Sequence, residues 1–243
     1  MLHIVFSIFV FIFVGLFETF RNGIFGLNST ELMAVTAGIL GLCAFAILRM
    51  DIPFIIRRPQ RALYGQSHLG WTWARTCLGL LLGVLLWVIP ATVDPVQFQT
   101  EALTQLTPTL LTALGFQVLL VALPQELFFR EAAIKAFRGD PNTVYLLSGL
   151  AYFIFFVPFG IPTALVMAGA GVYFMTLRLI GTNILAIALI HGTTNLVMTK
   201  GVTLGLTGNE EWLYAAYFLT TSLALSAVTL RLFAQKPSEY SYA

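Results

Sequence analysis

The sequence predicts an all-α, polytopic membrane protein, a bundle of about eight transmembrane helices with a polar cavity toward the cytoplasm. Three observations carry this. The 243 residues are 58% hydrophobic and only 10% charged, whereas soluble domains carry about 25% charged residues. The apolar runs are long and continuous rather than alternating, which selects helices over a barrel as the way to satisfy the backbone in lipid. The few ionisable residues inside those runs are gathered rather than scattered, above all in PQELFFREAAIKAF (124–137). An ionisable residue at membrane depth is costly and marks a functional candidate.

A membrane-crossing helix needs about 20 apolar residues. Spans are expected at 3–20, 32–49, 74–93, 107–129, 143–159, 161–180, 183–199 and 212–234. The first has neither a basic leader nor a small-residue cleavage site, so it reads as a retained span rather than a signal peptide. The fourth is expected to continue as helix through Lys135. The fifth and sixth are separated only by Pro158–Pro162, a tight re-entry. Within the sixth, Ala168, Gly169, Ala170 and Gly171 form a small-residue run that lets helices approach closely. Trp71, Trp73, Trp87 and Trp212 lie near span ends, as interfacial anchors do.

The net charge of +2 gives no reason to expect a nucleic-acid partner. The lipid bilayer is the expected surroundings, and the basic loop 51–70 with Arg57 and Arg58 suits anionic headgroups. Cys43 and Cys77 lie in apolar runs with no metal or pairing spacing, so both read as core residues. With the N-terminus inside, the inner ends and loops hold Arg49, Arg57, Arg58, Arg61, Arg75, Arg130, Lys135, Arg138, Arg178, Arg231 and Lys236. The outer ones hold only Arg21 and Lys200. By the positive-inside rule both termini are expected in the cytoplasm.

Two polar clusters stand out. Glu126 and Arg130 are i,i+4 partners able to face each other on one side of a helix, with Gln125 and Glu131 beside them. His191 and Asn195, in HGTTN, share a helix face at the same spacing. Both clusters fall in the inner halves of their helices, at one depth. A carboxylate meeting a histidine in a wet intramembrane cavity is equipped for general acid–base chemistry. The imidazole and an amide can donate to a developing oxyanion. The plainer reading is a buried Glu126–Arg130 tie, with His191 and Asn195 as interhelical hydrogen-bonding groups. Glu131 reads either as a displaced carboxylate or as a second partner for Arg130.

Taken together, QELFFR at 125–130, the Phe-rich helix after it and TLRLIGTNILAIALIHGTTN at 176–195 resemble the CPBP family. This family comprises the CAAX prenyl endopeptidases and bacteriocin-processing membrane proteins. The resemblance covers about 124–199; length and composition make a single membrane domain over 1–243 the natural count. Its family-like core would run over 107–199, with accessory helices in 1–106 and a C-terminal helix at 212–234. The family pattern is Glu-Glu-x-x-x-Arg, then Phe-x-x-x-His, then His-x-x-x-Asn. Its first glutamate, taken as the base that activates water, falls on Gln125; the second falls on Glu126 and the arginine on Arg130. The third motif lands intact on His191 and Asn195, the implied oxyanion donors. The middle motif lands on Phe153–Val157, so Val157 stands where the family has histidine.

The resemblance therefore implies an intramembrane endopeptidase acting on a membrane-associated peptide or protein. Glu126 would be the base, Arg130 would orient it, and His191 with Asn195 would form the oxyanion hole. No cofactor or metal is implied, since one intramembrane histidine is a thin ligand set. Gln125 and Val157 motivate an alternative, a catalytically silent relative that binds membrane peptides or partner proteins. A third reading is a small proton-coupled transporter using Glu126 and His191, although the paired repeats typical of transporters are missing.

Overall fold

The computed structural model describes residues 29–48, 96–98, 108–136, 141–200, 202–204 and 208–233. These form six helical rods: α1 (Ser29–Leu48), α2 (108–136), α3 (Pro141–Phe156), α4 (Ile161–Leu179), α5 (Ile184–Lys200) and α6 (Asn209–Phe233). Each coincides with one of the expected spans, and α2 continues past Lys135 as its sequence suggests. The expected spans at 3–20 and 74–93 lie outside the described residues. Leu110–Ala132, Ile161–Leu179 and Asn209–Arg231 are long and apolar enough to cross a membrane, while α1, α3 and α5 contribute shorter apolar stretches.

One feature departs from a purely helical reading. Val96–Phe98 (β1) pairs antiparallel with Val202–Leu204 (β2), with Gln97 opposite Thr203. β1 precedes α2 and β2 follows α5 directly, so this short ladder ties the approach to one helix to the exit of the other. No run of alternating polarity announces it, because three residues a side are too few to show a period.

Helix α2 is the axis of the described fold, and proline sets its local form. Pro124 has no N–H for the Leu120 carbonyl, and in an ordinary α-helix its ring would collide with that carbonyl. The preceding segment Phe116–Ala122 is wound as π-helix, and the Leu123 N–H bonds the Val118 carbonyl five residues back. The i→i+5 register widens the turn and absorbs the misfit; such segments concentrate at functional sites. A second π segment, Leu127–Ala132, follows the short α-helical turn Leu123–Glu126. Every residue from Gln125 to Ala133 is buried. Helices α1, α3, α4 and α5 all touch this rod.

The remaining helices are placed by turns whose chemistry is explicit. α3 ends in a short 3-10 turn, Val157–Phe159, with Pro158 buried. Gly160, at φ 104°, then starts α4, so α3 and α4 lie along each other as a hairpin. The end of α4 is a Schellman motif. Gly181, at φ 94°, donates to the Arg178 carbonyl, and the Thr182 N–H donates to that of Leu177. Asn183 then caps α5, its Oδ1 accepting from the Leu185 N–H at 2.8 Å. The four residues between α4 and α5 thus satisfy the exposed ends of both helices and fix where His191 falls.

Small residues set the spacing. A Cβ at Gly192 would lie 2.7 Å from Val118 Cα, so α5 meets the first π segment of α2 nearly backbone to backbone. Gly171 likewise leaves room for Tyr152: a Cβ there would come within 2.8 Å of Tyr152 Cδ1. Gly169 faces Leu219 and Ser222 of α6. The small-residue run in α4 therefore serves two neighbours, α3 and α6. The apolar core centres on Phe128, Phe129, Tyr152, Phe155 and Phe156, with half-buried Cys43 packed against it. Phe129 meets Tyr152 and Phe155 edge-on, with ring centroids 4.8 and 5.4 Å apart. Edge-to-face geometry of this kind adds about 0.5–1.5 kcal/mol per pair beyond area burial.

Candidate active site

The close approach of α5 to α2 brings the two polar clusters together. Glu126 Oε1 stands 2.8 Å from His191 Nδ1, and Glu126 Oε2 accepts from Arg130 Nε at 3.0 Å. Glu126 and Arg130 are fully buried, and His191 is 4% exposed. Both carboxylate oxygens thus face a nitrogen donor. In a water-poor interior this is what keeps an ionised group from costing several kcal/mol.

Arg130 reaches beyond its carboxylate. Its Nη1 donates to Ser148 Oγ at 2.9 Å, and Ser148 in turn donates to the Phe129 carbonyl at 2.8 Å. The guanidinium carbon lies 4.9 Å from the centroid of the Tyr152 ring and 5.9 Å from that of Phe174. Stacking on rings suits a guanidinium, which is weakly hydrated and planar. Among the described residues its Nη2 has no hydrogen-bond partner. The π face of Tyr152 is therefore part of what holds the cation in place.

Tyr152 is the residue that joins the two sides of the site. Its hydroxyl donates to Gln125 Oε1 at 3.1 Å and stands 3.4 Å from His191 Nε2. The His191 ring is stacked on Phe174, centroids 5.1 Å apart and planes at 29°. A carboxylate behind one nitrogen, a phenol beside the other and an aromatic ring beneath together leave the imidazole one orientation.

The structure brings together Gln125, Glu126, Arg130 and His191. Asn195 lies one turn beyond His191 on α5, half-buried. Val157 lies in the turn after α3, half-buried against the apolar core. The α3 side chain that reaches Gln125 and His191 is instead Tyr152. Glu131 pairs with Arg178 of α4, not with Arg130. The two readings weighed for Glu131, a displaced carboxylate and a partner for Arg130, both give way to a tie between helices. Adjacent residues on a helix point about 100° apart, so Arg130 and Glu131 face different neighbours.

Sequence reasoning missed Ser148, Tyr152, Phe174 and Arg178. A signal for the first two was present: Ser148 and Tyr152 are hydroxyl residues at i,i+4 in the apolar later half of α3. Buried hydroxyls need partners, and a search confined to histidine passed over them. Arg178 was counted only as an inner-side charge.

A helical membrane protein with a buried carboxylate, imidazole and guanidinium clasped between two helices is the class that fold and site define. The model of the family described as Type II CAAX prenyl endopeptidase Rce1-like matches residues 107–197. Residues 107–197 are thus similar to that family, in line with the resemblance to CPBP proteins, and the match spans the helices that build the site. No curated protein and no solved structure matches the chain. At family level this stretch is similar to CAAX-protease-like membrane proteins.

Proposed function

We propose that the protein is an intramembrane endopeptidase that hydrolyses a peptide bond of a membrane-associated peptide or protein. The observation that carries this is the 2.8 Å approach of Glu126 to His191 across two helices inside an apolar bundle. A structural tie alone needs no imidazole with its second nitrogen facing a phenol. Water is activated within the Glu126–His191 pair, Arg130 holds the carboxylate, and the Asn195 amide donates to the developing oxyanion. Both termini lie in the cytoplasm by the charge bias, so substrate enters from that side. Thiol labelling of single cysteines at the two ends, in sealed vesicles of known orientation, tests this placement.

A second reading has its own observation. Gln125, at the family's base position, is turned to Tyr152 and accepts a hydrogen bond from its hydroxyl. A glutamine amide takes no proton from water, so a silent relative that keeps the cavity for binding also fits. The deciding experiment is cleavage of a membrane-peptide library by the full chain in lipid, comparing wild type with Glu126→Gln and His191→Ala. Cleavage by wild type that both variants lose supports the peptidase. Peptide binding without cleavage by a folded wild type supports the silent relative.

A further inference from the structure

Sequence reasoning gives the proton of the attacking water to Glu126; the geometry gives it elsewhere. We infer that His191 is the base of this site, taking the proton at Nε2, with Glu126 as the carboxylate that orients it and Tyr152 as a positioning residue for the water. The inference rests on the peptidase reading and assigns its central proton transfer.

The hydrogen-bond inventory leads there. Glu126 Oε2 accepts from the Arg130 guanidinium, so the pair is a carboxylate and a cation. An ionised carboxylate only accepts hydrogen bonds. The 2.8 Å contact at Oε1 therefore requires the proton on His191 Nδ1. A neutral imidazole carries one N–H, which leaves a lone pair on Nε2. A third full charge at His191 would leave this buried cluster with net +1, since Arg130 and Glu126 already cancel. With His191 neutral the cluster carries no net charge.

Tyr152 has one proton as well. It goes to Gln125 Oε1 at 3.1 Å, the shorter of its two contacts, so the phenol oxygen turns lone pairs toward Nε2. Two acceptors then face each other at 3.4 Å, which accounts for the length of that contact. A water beside them can donate one O–H to each. Gln125 here has a task that a carboxylate could not perform next to Glu126 without like-charge repulsion: it holds the tyrosine proton away from the imidazole.

In the reaction, the water oxygen bonds to the peptide carbonyl carbon as one of its protons passes to Nε2. The imidazolium so formed lies between the Glu126 carboxylate and the face of Phe174, both of which favour its charge. The Nε2 proton then moves to the leaving nitrogen as the C–N bond breaks. One water is consumed, the products are an acid and an amine, and His191 returns to its resting state. Glu126, with both oxygens engaged and no exposed surface, takes no proton at any step.

The test uses the full chain in lipid nanodiscs with two readouts. The first is imidazole 15N NMR. The chain has three histidines, and the His191 signal is identified by its loss in His191→Asn. At neutral pH the expected signature is a neutral ring with the proton on Nδ1 and a bare Nε2. A proton on Nε2, or an imidazolium, overturns the assignment. The second readout is chemical rescue of cleavage. Removing a general base forfeits about 10²–10⁴ in rate; added imidazole should restore His191→Ala at least about tenfold. Formate should leave Glu126→Ala unrescued. Rescue by formate and not by imidazole would sink the assignment to His191 while leaving the peptidase intact. No cleavage by folded wild type removes the peptidase reading, and the catalytic role with it, whatever the nitrogen signature shows.

Discussion

Two buried carboxylates stand side by side on α2 and lead different lives. Glu131 meets one partner, Arg178 of α4, and both side chains keep slight access to the surface. Glu126 is wholly buried and shared between a guanidinium on its own helix and an imidazole on α5. Among the described residues the Glu131 pair joins one anion to one cation, Glu131 Oε1 to Arg178 Nε. The Glu126 centre is open-ended, because each partner has a further group to engage. Arg130 continues to Ser148, and His191 continues to Tyr152 and Gln125. Burial and charge alone do not tell a structural ion pair from a reacting one. What differs between these two is the number of proton-carrying groups chained to each.

That contrast is broken most sharply by removing each carboxylate in turn. Glu126→Gln should lower kcat/KM by about 10²–10⁴, the range for losing a group central to acid–base catalysis. The chain should stay folded, because the amide still fits the space. Glu131→Ala should act the other way, costing about 3–5 kcal/mol of stability by stranding Arg178 in the interior. Replacing both partners, Glu131→Leu with Arg178→Leu, should return most of that stability, since apolar isosteres often match a buried pair. Thermal unfolding in detergent and the cleavage assay, run on all three variants, separate the two roles. Equal losses of activity from Glu126→Gln and from the Leu–Leu variant would erase the distinction.

Ser148→Ala and Gly192→Ala probe the supports. Without Ser148, Arg130 Nη1 is left with the Phe129 carbonyl at 3.4 Å, at a cost of about 1–3 kcal/mol for an unsatisfied buried donor. Gly192→Ala pushes a methyl against the backbone at Val118, and overpacking of this kind costs roughly 1–3 kcal/mol. Unlike Ser148→Ala, it should also part Glu126 from His191, lowering activity more than stability. Comparing residual activity with the melting temperature for each variant reads this directly.

Much of the frame was legible because membrane composition and helix length are coarse signals. Six expected spans coincide with helices, and the Pro158–Pro162 re-entry is present as a turn. The i,i+4 pairing of Glu126 with Arg130 follows from helix geometry alone. The rest depended on relations that a single chain does not display. Whether Glu126 turns toward His191 depends on helix rotation, and that is set by the π segments around Pro124 and by Gly192. A glycine in HGTTN looks like sequence noise until Val118 is seen against it. The partner of Glu131 lies 47 positions away on another helix, and no local spacing points to Arg178. The search for a second histidine ended at Val157, although the side chain that fills that part of the site is Tyr152.

A change of one atom is the most informative about Tyr152. Tyr152→Phe keeps the ring beneath Arg130 and against Phe129 but removes the hydroxyl. The packing loss is near zero, and the stability cost is that of an unpaired Gln125 oxygen, about 1–3 kcal/mol. If the hydroxyl positions water beside Nε2, kcat should fall about tenfold, equivalent to about 1.4 kcal/mol. KM should stay unchanged, because substrate binding does not use the hydroxyl. The neutral His191 signature with its proton on Nδ1 should persist, since Glu126 sets it. A tyrosine that only packs would leave kcat alone, and one that donates to His191 would change the nitrogen spectrum. Tyr152→His sharpens the comparison further. An imidazole there can meet both Gln125 and His191, so partial activity from it and none from Tyr152→Leu would mark the polar atom, not the ring volume, as what the site requires.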